Sequence, residues 1–271
     1  MPELPEVETV KRVLENRFTH KVFKDVIVNY DKIIANMDAI SFKNALINQE
    51  IVSFSRKGKY LIFNLSKGYL ISHLRMEGKY KFDIDMLDKH CHIIFIFQDN
   101  DRLIYHDVRK FGKMFYFPKD VNIYQTYPLN TLGLEPFEIK DVNYLYEKTK
   151  NSKKMLKEVL LDQSIIAGIG NIYADEICFA SHLLPNKIAS TLTKDDLQNI
   201  VNNAVEILNE SIKDGGSTVK TYQSAHGVDG HFQTKLKVYG KENMPCPICH
   251  NLICKCKIGG RGTHYCANCQ K

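Results

Sequence analysis

Four cysteines near the C-terminus constrain this chain more than any other feature. They read Cys246-x2-Cys249-x16-Cys266-x2-Cys269. Two Cys-x2-Cys pairs at that separation have the spacing of a four-cysteine zinc ribbon: each pair forms a knuckle, and the residues between run out and back as a hairpin. The alternative is disulfide pairing, which belongs to oxidising compartments. The N-terminus is acidic and lacks the apolar core of a signal peptide, so the chain is expected in the cytoplasm and its cysteines on zinc. Gly259-Gly260-Arg261-Gly262 falls in the middle of the hairpin. The glycines mark the turn, so Arg261 is expected to project from the tip. There it is either a plain surface arginine or a bidentate clamp for a phosphate. Structural zinc binds such ribbons with an apparent ~10–16 kcal/mol, making the tip a rigid mount. Cys254 and Cys256, with His250 and His264 nearby, are spare potential ligands. Cys91 and Cys178 read as buried thiols.

The 271 residues carry 37 basic and 31 acidic side chains, a formal net charge of +6. From Asp214 onward there are eight basic residues against three acidic ones, a surplus of five. A basic tail on a folded body suggests a polyanionic partner, most simply nucleic acid, although charge alone describes a solvated surface equally well. No apolar run approaches the ~20 residues of a membrane helix.

The other end of the chain reads Met1-Pro2-Glu3-Leu4-Pro5-Glu6. If Met1 is removed, Pro2 presents a secondary amine able to attack an electrophilic carbon and form an iminium ion. An ordinary α-amine has a pKa near ~8 against ~10.4 for lysine, so more of it is unprotonated at neutral pH. Glu3 and Glu6 lie within reach to move protons. Read alone, the six residues favour an ordinary helix start, with Pro5 in the first turn and acids at the positive end of the dipole.

Val7, Val10, Val13, Leu14 and Phe18 follow helical spacing. Short β-branched or aromatic segments follow at 21–28, 51–54, 60–65, 69–74, 92–97, 103–106 and 113–117, separated by turn residues. These predict a β-sandwich or barrel. Pro118, Pro128 and Pro136 mark a boundary, after which helices are predicted over 142–148, 153–161, 172–183 and 193–212. Thr193 and Asp196 resemble a capping box on the last, and Gly215-Gly216 ends it. The predicted fold is α+β, with a β-domain over 1–130 that includes the first helix, a helical domain over 131–234 and a zinc ribbon over 235–271.

Taken in order, the motifs are specific. They are Pro2-Glu3-Leu4-Pro5-Glu6-Val7-Glu8-Thr9, Arg56-Lys57-Gly58-Lys59-Tyr60, His73-Leu74-Arg75-Met76-Glu77-Gly78, His90-Cys91-His92, Asp107-Val108-Arg109-Lys110-Phe111-Gly112, Leu132-Gly133-Leu134-Glu135-Pro136, Gly168-Ile169-Gly170-Asn171-Ile172-Tyr173-Ala174-Asp175-Glu176, Gly215-Gly216-Ser217-Thr218, Val238-Tyr239-Gly240, and the ribbon with Cys269-Gln270-Lys271. In this order the chain resembles the bacterial formamidopyrimidine-DNA glycosylases, which excise oxidised purines from DNA. The resemblance covers nearly the whole length.

It implies a monomeric glycosylase and lyase of base excision repair, acting on damaged double-stranded DNA. The Pro2 amine would attack the sugar C1′, release the base and leave a Schiff base, with β- and δ-elimination to follow. Glu3 would move protons, Glu6 would support it, and Lys59 would be the catalytic lysine, preferred over Lys57 because it precedes Tyr60. Arg261 would approach the reacting phosphate. A damaged base must be flipped from the duplex at a cost of a few kcal/mol. Met76, Arg109 and Phe111 resemble the residues that fill the gap, respectively an apolar filler, a cation for the orphaned base and an aromatic wedge. His73, His90, His92, Lys153, Asn171 and Tyr239 match DNA contacts. His90 and His92 are two apart on one strand face. Gly168-Ile169-Gly170-Asn171 lies between two helical segments and lacks the preceding strand and third glycine of a dinucleotide fingerprint. It fits a helix–two-turns–helix element whose amides meet a phosphate. Residues 218–230 are expected to form a loop over the flipped base.

Three departures stand out, the first being that Cys254 and Cys256 add thiols to the ribbon. Cys91 replaces an acid common in the family, and Arg75 stands where glycine is often found. The rival readings are a sister enzyme specific for oxidised pyrimidines, and a non-catalytic zinc-ribbon DNA-binding protein. The complete Met76, Arg109 and Phe111 set argues against the first, and the intact Pro2, Glu3 and Lys59 set against the second.

Overall fold

A computed structural model describes residues 1–82, 86–217 and 232–271. The expected loop over 218–230 lies outside the described residues. The described chain forms two compact units.

The first unit spans Met1–Asn130 together with Gly215–His231. It opens with α1 (Leu4–Phe18), whose apolar residues at helical spacing, Val7, Val10, Leu14 and Phe18, are all buried. The strands follow as β1 (Phe23–Val28), β2 (Ile51–Lys57), β3 (Tyr60–Leu65), β4 (Gly68–His73), β5 (Lys79–Lys81), β6 (Cys91–Phe97), β7 (Arg102–His106) and β8 (Lys113–Pro118). They form two antiparallel four-stranded sheets, ordered β1-β6-β7-β5 and β2-β3-β4-β8. Phe23, Phe95 and Phe97 of one sheet, Phe63, Leu70 and Met114 of the other, and Leu14 of α1 share one continuous core. The predicted sandwich is therefore present. A helix the periodicity did not reveal, α2 (Ala39–Leu46), follows β1, capped where Asp38 Oδ1 accepts from Ser41 N at 2.9 Å. Its eight residues bury only Phe42 and Leu46, too few to set up a readable helical stripe.

The second unit spans Thr131–Asp214 and Phe232–Lys271. Its helices are α3 (Asn143–Thr149), α4 (Leu156–Leu161), α5 (Asn171–Ala180) and α6 (Lys194–Lys213). The Thr193–Asp196 capping box is formed on α6: Asp196 N donates to Thr193 Oγ1 at 3.1 Å and Thr193 N to Asp196 Oδ2 at 3.0 Å. The cysteine-rich end folds within this unit. It carries one hairpin, β9 (Cys254–Ile258) paired antiparallel with β10 (Arg261–Tyr265).

Candidate active site and metal centre

The start of α1 is a buried polar cluster. Pro2 is buried, and Glu3 and Glu6 are 3% and 7% exposed. Glu6 closes the first turn by accepting from Glu3 N at 2.9 Å, then uses its other oxygen for Ser217, from N at 2.8 Å and Oγ at 3.2 Å. Gly216 approaches this carboxylate, where an added Cβ would lie 3.0 Å from Glu6 Oε1, and it and Gly215 have φ of +86° and +77°, a conformation that glycine adopts without strain. With Met1 in place, its α-amino group is held below its ordinary pKa chiefly by burial, with a smaller push from the Lys59 cation, against the opposing pull of Glu3, Glu6 and Glu77.

Lys59 occupies the two-residue turn between β2 and β3 and is 4% exposed; Lys57, at the end of β2, is half-buried. The turn is tied to α1 through Arg56, whose Nη1 donates to Gly58 O at 2.9 Å while its Nε meets Glu8 Oε2 at 3.2 Å. Sequence reasoning missed this brace. Both residues stood inside quoted motifs, but nothing in their spacing links them.

His73 ends β4, and its Nδ1 accepts from Arg75 N at 3.0 Å, so the remaining proton lies on Nε2. Burial, reinforced by the Arg75 and Lys59 cations, lowers its pKa to about 3. His73 is thus a neutral hydrogen-bond donor at physiological pH. Arg75 has φ +55°, a left-handed conformation that glycine adopts without strain.

Met76 lies in the turn after β4, and Arg109 and Phe111 lie in the loop between β7 and β8. Both loops rest on one fully buried ring, Tyr105. A Cβ added at Gly78 would lie 2.1 Å from the Tyr105 hydroxyl, and one at Gly112 only 1.6 Å. Asp107 shapes the second loop from within: Oδ1 accepts from Arg109 N at 3.0 Å and Oδ2 from Gly112 N at 2.9 Å. The Arg109 guanidinium lies 4.7 Å from the centre of the Phe111 ring, and Phe111 is half exposed. His92 is buried with Nε2 2.8 Å from Asp107 O, which supports the same loop from below. His90 is half-buried, and its Nδ1 has no hydrogen-bond partner among the described residues. Cys91 is buried, its thiol pKa raised by that burial.

In the second unit, Gly170 caps α5 and Asn171 begins it. The preceding turn is braced by Gln163, which accepts from Gly168 N at 3.0 Å and donates to Ile169 O at 2.8 Å. Asn171 Nδ2 donates to Gly262 O of the hairpin at 3.0 Å. Lys153 is exposed just before α4. Tyr239 is half-buried, its ring edge-on to His264 at 5.3 Å. The backbone amides of Lys237, Val238 and Tyr239 all donate to Glu176, at 2.8, 2.9 and 2.8 Å. The hairpin turn is Gly259-Gly260, with φ of +53° and +76°. Arg261 is the exposed first residue of β10, opposite Ile258, so it flanks the turn instead of forming its apex.

The Sγ atoms of Cys246, Cys249, Cys266 and Cys269 all lie within 4.8 Å of one another. Cys246 and Cys269 are 3.8 Å apart, and Cys249 and Cys266 3.4 Å. A tetrahedral centre with metal–sulfur bonds of ~2.3 Å requires sulfurs roughly 3.8 Å apart, so the four thiols are placed for one metal ion. Cys254 and Cys256 lie on β9 outside this cluster.

Residues 1–114 match the family model of the formamidopyrimidine-DNA glycosylase N-terminal domain, and residues 132–223 that of its H2TH domain. A formamidopyrimidine-DNA glycosylase of Bacillus cereus is 45% identical over 274 residues, covering 100% of this chain and 99% of its own. One from Listeria monocytogenes is 42% identical over 280 residues, covering all of both. The wild-type Lactococcus lactis Fpg (MutM), solved with DNA containing N7-benzyl-Fapy-dG, superposes with a TM-score of 0.92 at 38% identity over the whole of both chains. Its T221P mutant, solved with Fapy-dG DNA, gives 0.93 at 39% and the same coverage. The chain belongs to the formamidopyrimidine-DNA glycosylase family.

Proposed function

We propose that this protein is a bifunctional DNA glycosylase and abasic-site lyase of base excision repair that removes oxidised purines, working as a monomer in the cytoplasm. The observation that carries the reading is the buried cluster at the start of α1, where Pro2 lies buried beside the buried carboxylates of Glu3 and Glu6. Relatives solved with Fapy-dG DNA support a purine lesion over a pyrimidine one.

With Met1 removed, the Pro2 nitrogen attacks C1′ of the damaged nucleotide. The glycosidic bond breaks, and the base leaves with a proton supplied from Glu3. Opening of the sugar ring gives an iminium ion, from which β- and δ-elimination release both phosphates. Glu6 holds the helix start and Ser217 in place. Lys59, buried in the turn between β2 and β3, is the catalytic lysine of this site. Met76, Arg109 and Phe111 fill the space left by the flipped nucleotide. His73, which is neutral, donates a hydrogen bond to the DNA backbone, and His90 and the amides at Gly170 and Asn171 contact that backbone too. Lys153, Tyr239 and Arg261 serve phosphates. His92 acts through the Asp107 loop. Zinc is the metal that four thiolates in this spacing suit, held by Cys246, Cys249, Cys266 and Cys269. It supplies a structural cross-link and no step of the reaction.

The test is borohydride trapping on a duplex with 8-oxoguanine opposite cytosine, followed by peptide mass spectrometry. An adduct on a peptide beginning at Pro2 is expected. Absence of an adduct from zinc-loaded protein lacking Met1 would overturn the assignment of Pro2.

A further inference from the structure

Lys157 on α4 and Asp175 on α5 form an ion pair with both side chains fully buried, and neither takes part in the chemistry above. Charges leave water only when they are paired and their remaining hydrogen-bonding capacity is used. Here both partners spend that capacity on the same strand. Lys157 Nζ lies 2.6 Å from Asp175 Oδ1 and donates to Gly262 O at 2.9 Å. Asp175 Oδ2 accepts from His264 N at 2.8 Å and lies 3.3 Å from His264 Nδ1. Asn171 Nδ2 adds a second donor to Gly262 O at 3.0 Å.

Gly262 and His264 are two apart on β10, so these groups face one edge of the strand. Among the described residues, β10 has β9 as its only neighbouring strand, in a two-stranded sheet. The ion pair occupies the other edge, donating and accepting where a third strand would. An apolar pair of the same volume would fill the space but leave His264 N without its acceptor and Gly262 O with the Asn171 donor alone. The residue immediately before Gly262 is Arg261. The turn beyond it runs close to α4, where a Cβ at Gly259 would lie 3.1 Å from Glu158 Cγ and Oε1.

We propose that the Lys157–Asp175 pair is a positioning device for Arg261, substituting for a missing β-strand to hold the arginine in register with α4 and α5. The catalytic consequence rests on the phosphate-binding role given to Arg261 above. The pair touches no substrate and acts through the strand that carries the arginine.

The experiment compares Lys157→Met/Asp175→Leu with the unaltered chain, each with and without Arg261→Ala. Removing both charges avoids stranding one of them, so the double variant is expected to fold and retain its metal. Amide exchange over 259–264 should lose protection, while zinc content and cooperative melting stay unchanged. Single-turnover excision should fall by roughly ten- to hundredfold, as expected for a reacting group displaced by about an ångström. In the Arg261→Ala background the same double change should cost nothing further. Unchanged amide exchange over 259–264 would overturn the positioning role outright. So would an equal loss of rate with and without Arg261. If Arg261→Ala alone leaves the rate intact while protection is still lost, the ion pair places the strand as proposed, and the role given to Arg261 fails instead.

Discussion

Glu6 and Ser217 are joined across 211 residues of sequence. The Glu6 carboxylate accepts from the Ser217 amide at 2.8 Å and its hydroxyl at 3.2 Å while its other oxygen caps the start of α1. Glu6→Ala would leave two buried amide donors without acceptors, each worth about 1–3 kcal/mol. We expect a loss of about 2–4 kcal/mol by urea denaturation, and a smaller one for Glu6→Gln, which keeps one carbonyl oxygen.

The two loops seated on Tyr105 give a steric test. Gly112→Ala places a methyl group 1.6 Å from the Tyr105 hydroxyl, and the ring is fully buried with nowhere to retreat. The variant should lose about 1–3 kcal/mol and bind damaged duplex at least tenfold more weakly in titrations. Adding Tyr105→Phe removes the oxygen but leaves the ring carbon 2.7 Å away, so rescue should be partial. Full rescue would show that the ring imposes no constraint.

Asp107 is expected to matter as much as the residues it places. Asp107→Ala frees the amides of Arg109 and Gly112, which now bond to its two oxygens. Excision from duplex should fall by roughly tenfold or more, with less effect on an abasic single strand, where no orphaned base needs a partner. Equal loss on both substrates would count against the loop assignment.

His73 makes stability depend on pH. Its folded pKa of about 3 lies below the ordinary value of 6.5. The unfolded chain therefore binds the extra proton first as pH falls. The contribution is fully present above about 6.5 and is lost progressively down to about 3. His73→Gln should flatten the stability profile in that window, measured by denaturant midpoints. Arg75→Gly removes one of the cations that lower this pKa, so the His73 resonance should titrate higher by NMR, yet still below 6.5 because burial persists.

Metal removal should act on the second unit. Chelation, or Cys246→Ser, is expected to unfold the hairpin and abolish DNA binding while the sandwich of the first unit stays folded by near-ultraviolet circular dichroism. Retention of stoichiometric zinc by Cys246→Ser would remove Cys246 from the ligand set.

What the sequence determined by itself was local. The four-cysteine spacing, the Thr193–Asp196 cap, the alternation of strands and the apolar stripe of α1 each lie within one element or one turn, where residue spacing and geometry are linked. The motifs also named the reactive candidates, because Pro2, Glu3 and Lys59 stand in recognisable strings. Tertiary structure alone decided how those groups are held. Glu8 with Arg56, Glu6 with Ser217, Gly78 and Gly112 on Tyr105, and Lys157 with Asp175 and Gly262 join positions whose separation along the chain carries no geometric information. The same holds for exposure: His90 and His92 look alike as neighbours in sequence, yet one is half-buried and the other is sealed beneath the Asp107 loop. Burial is a property of what packs over a side chain, and that covering comes from elsewhere in the chain.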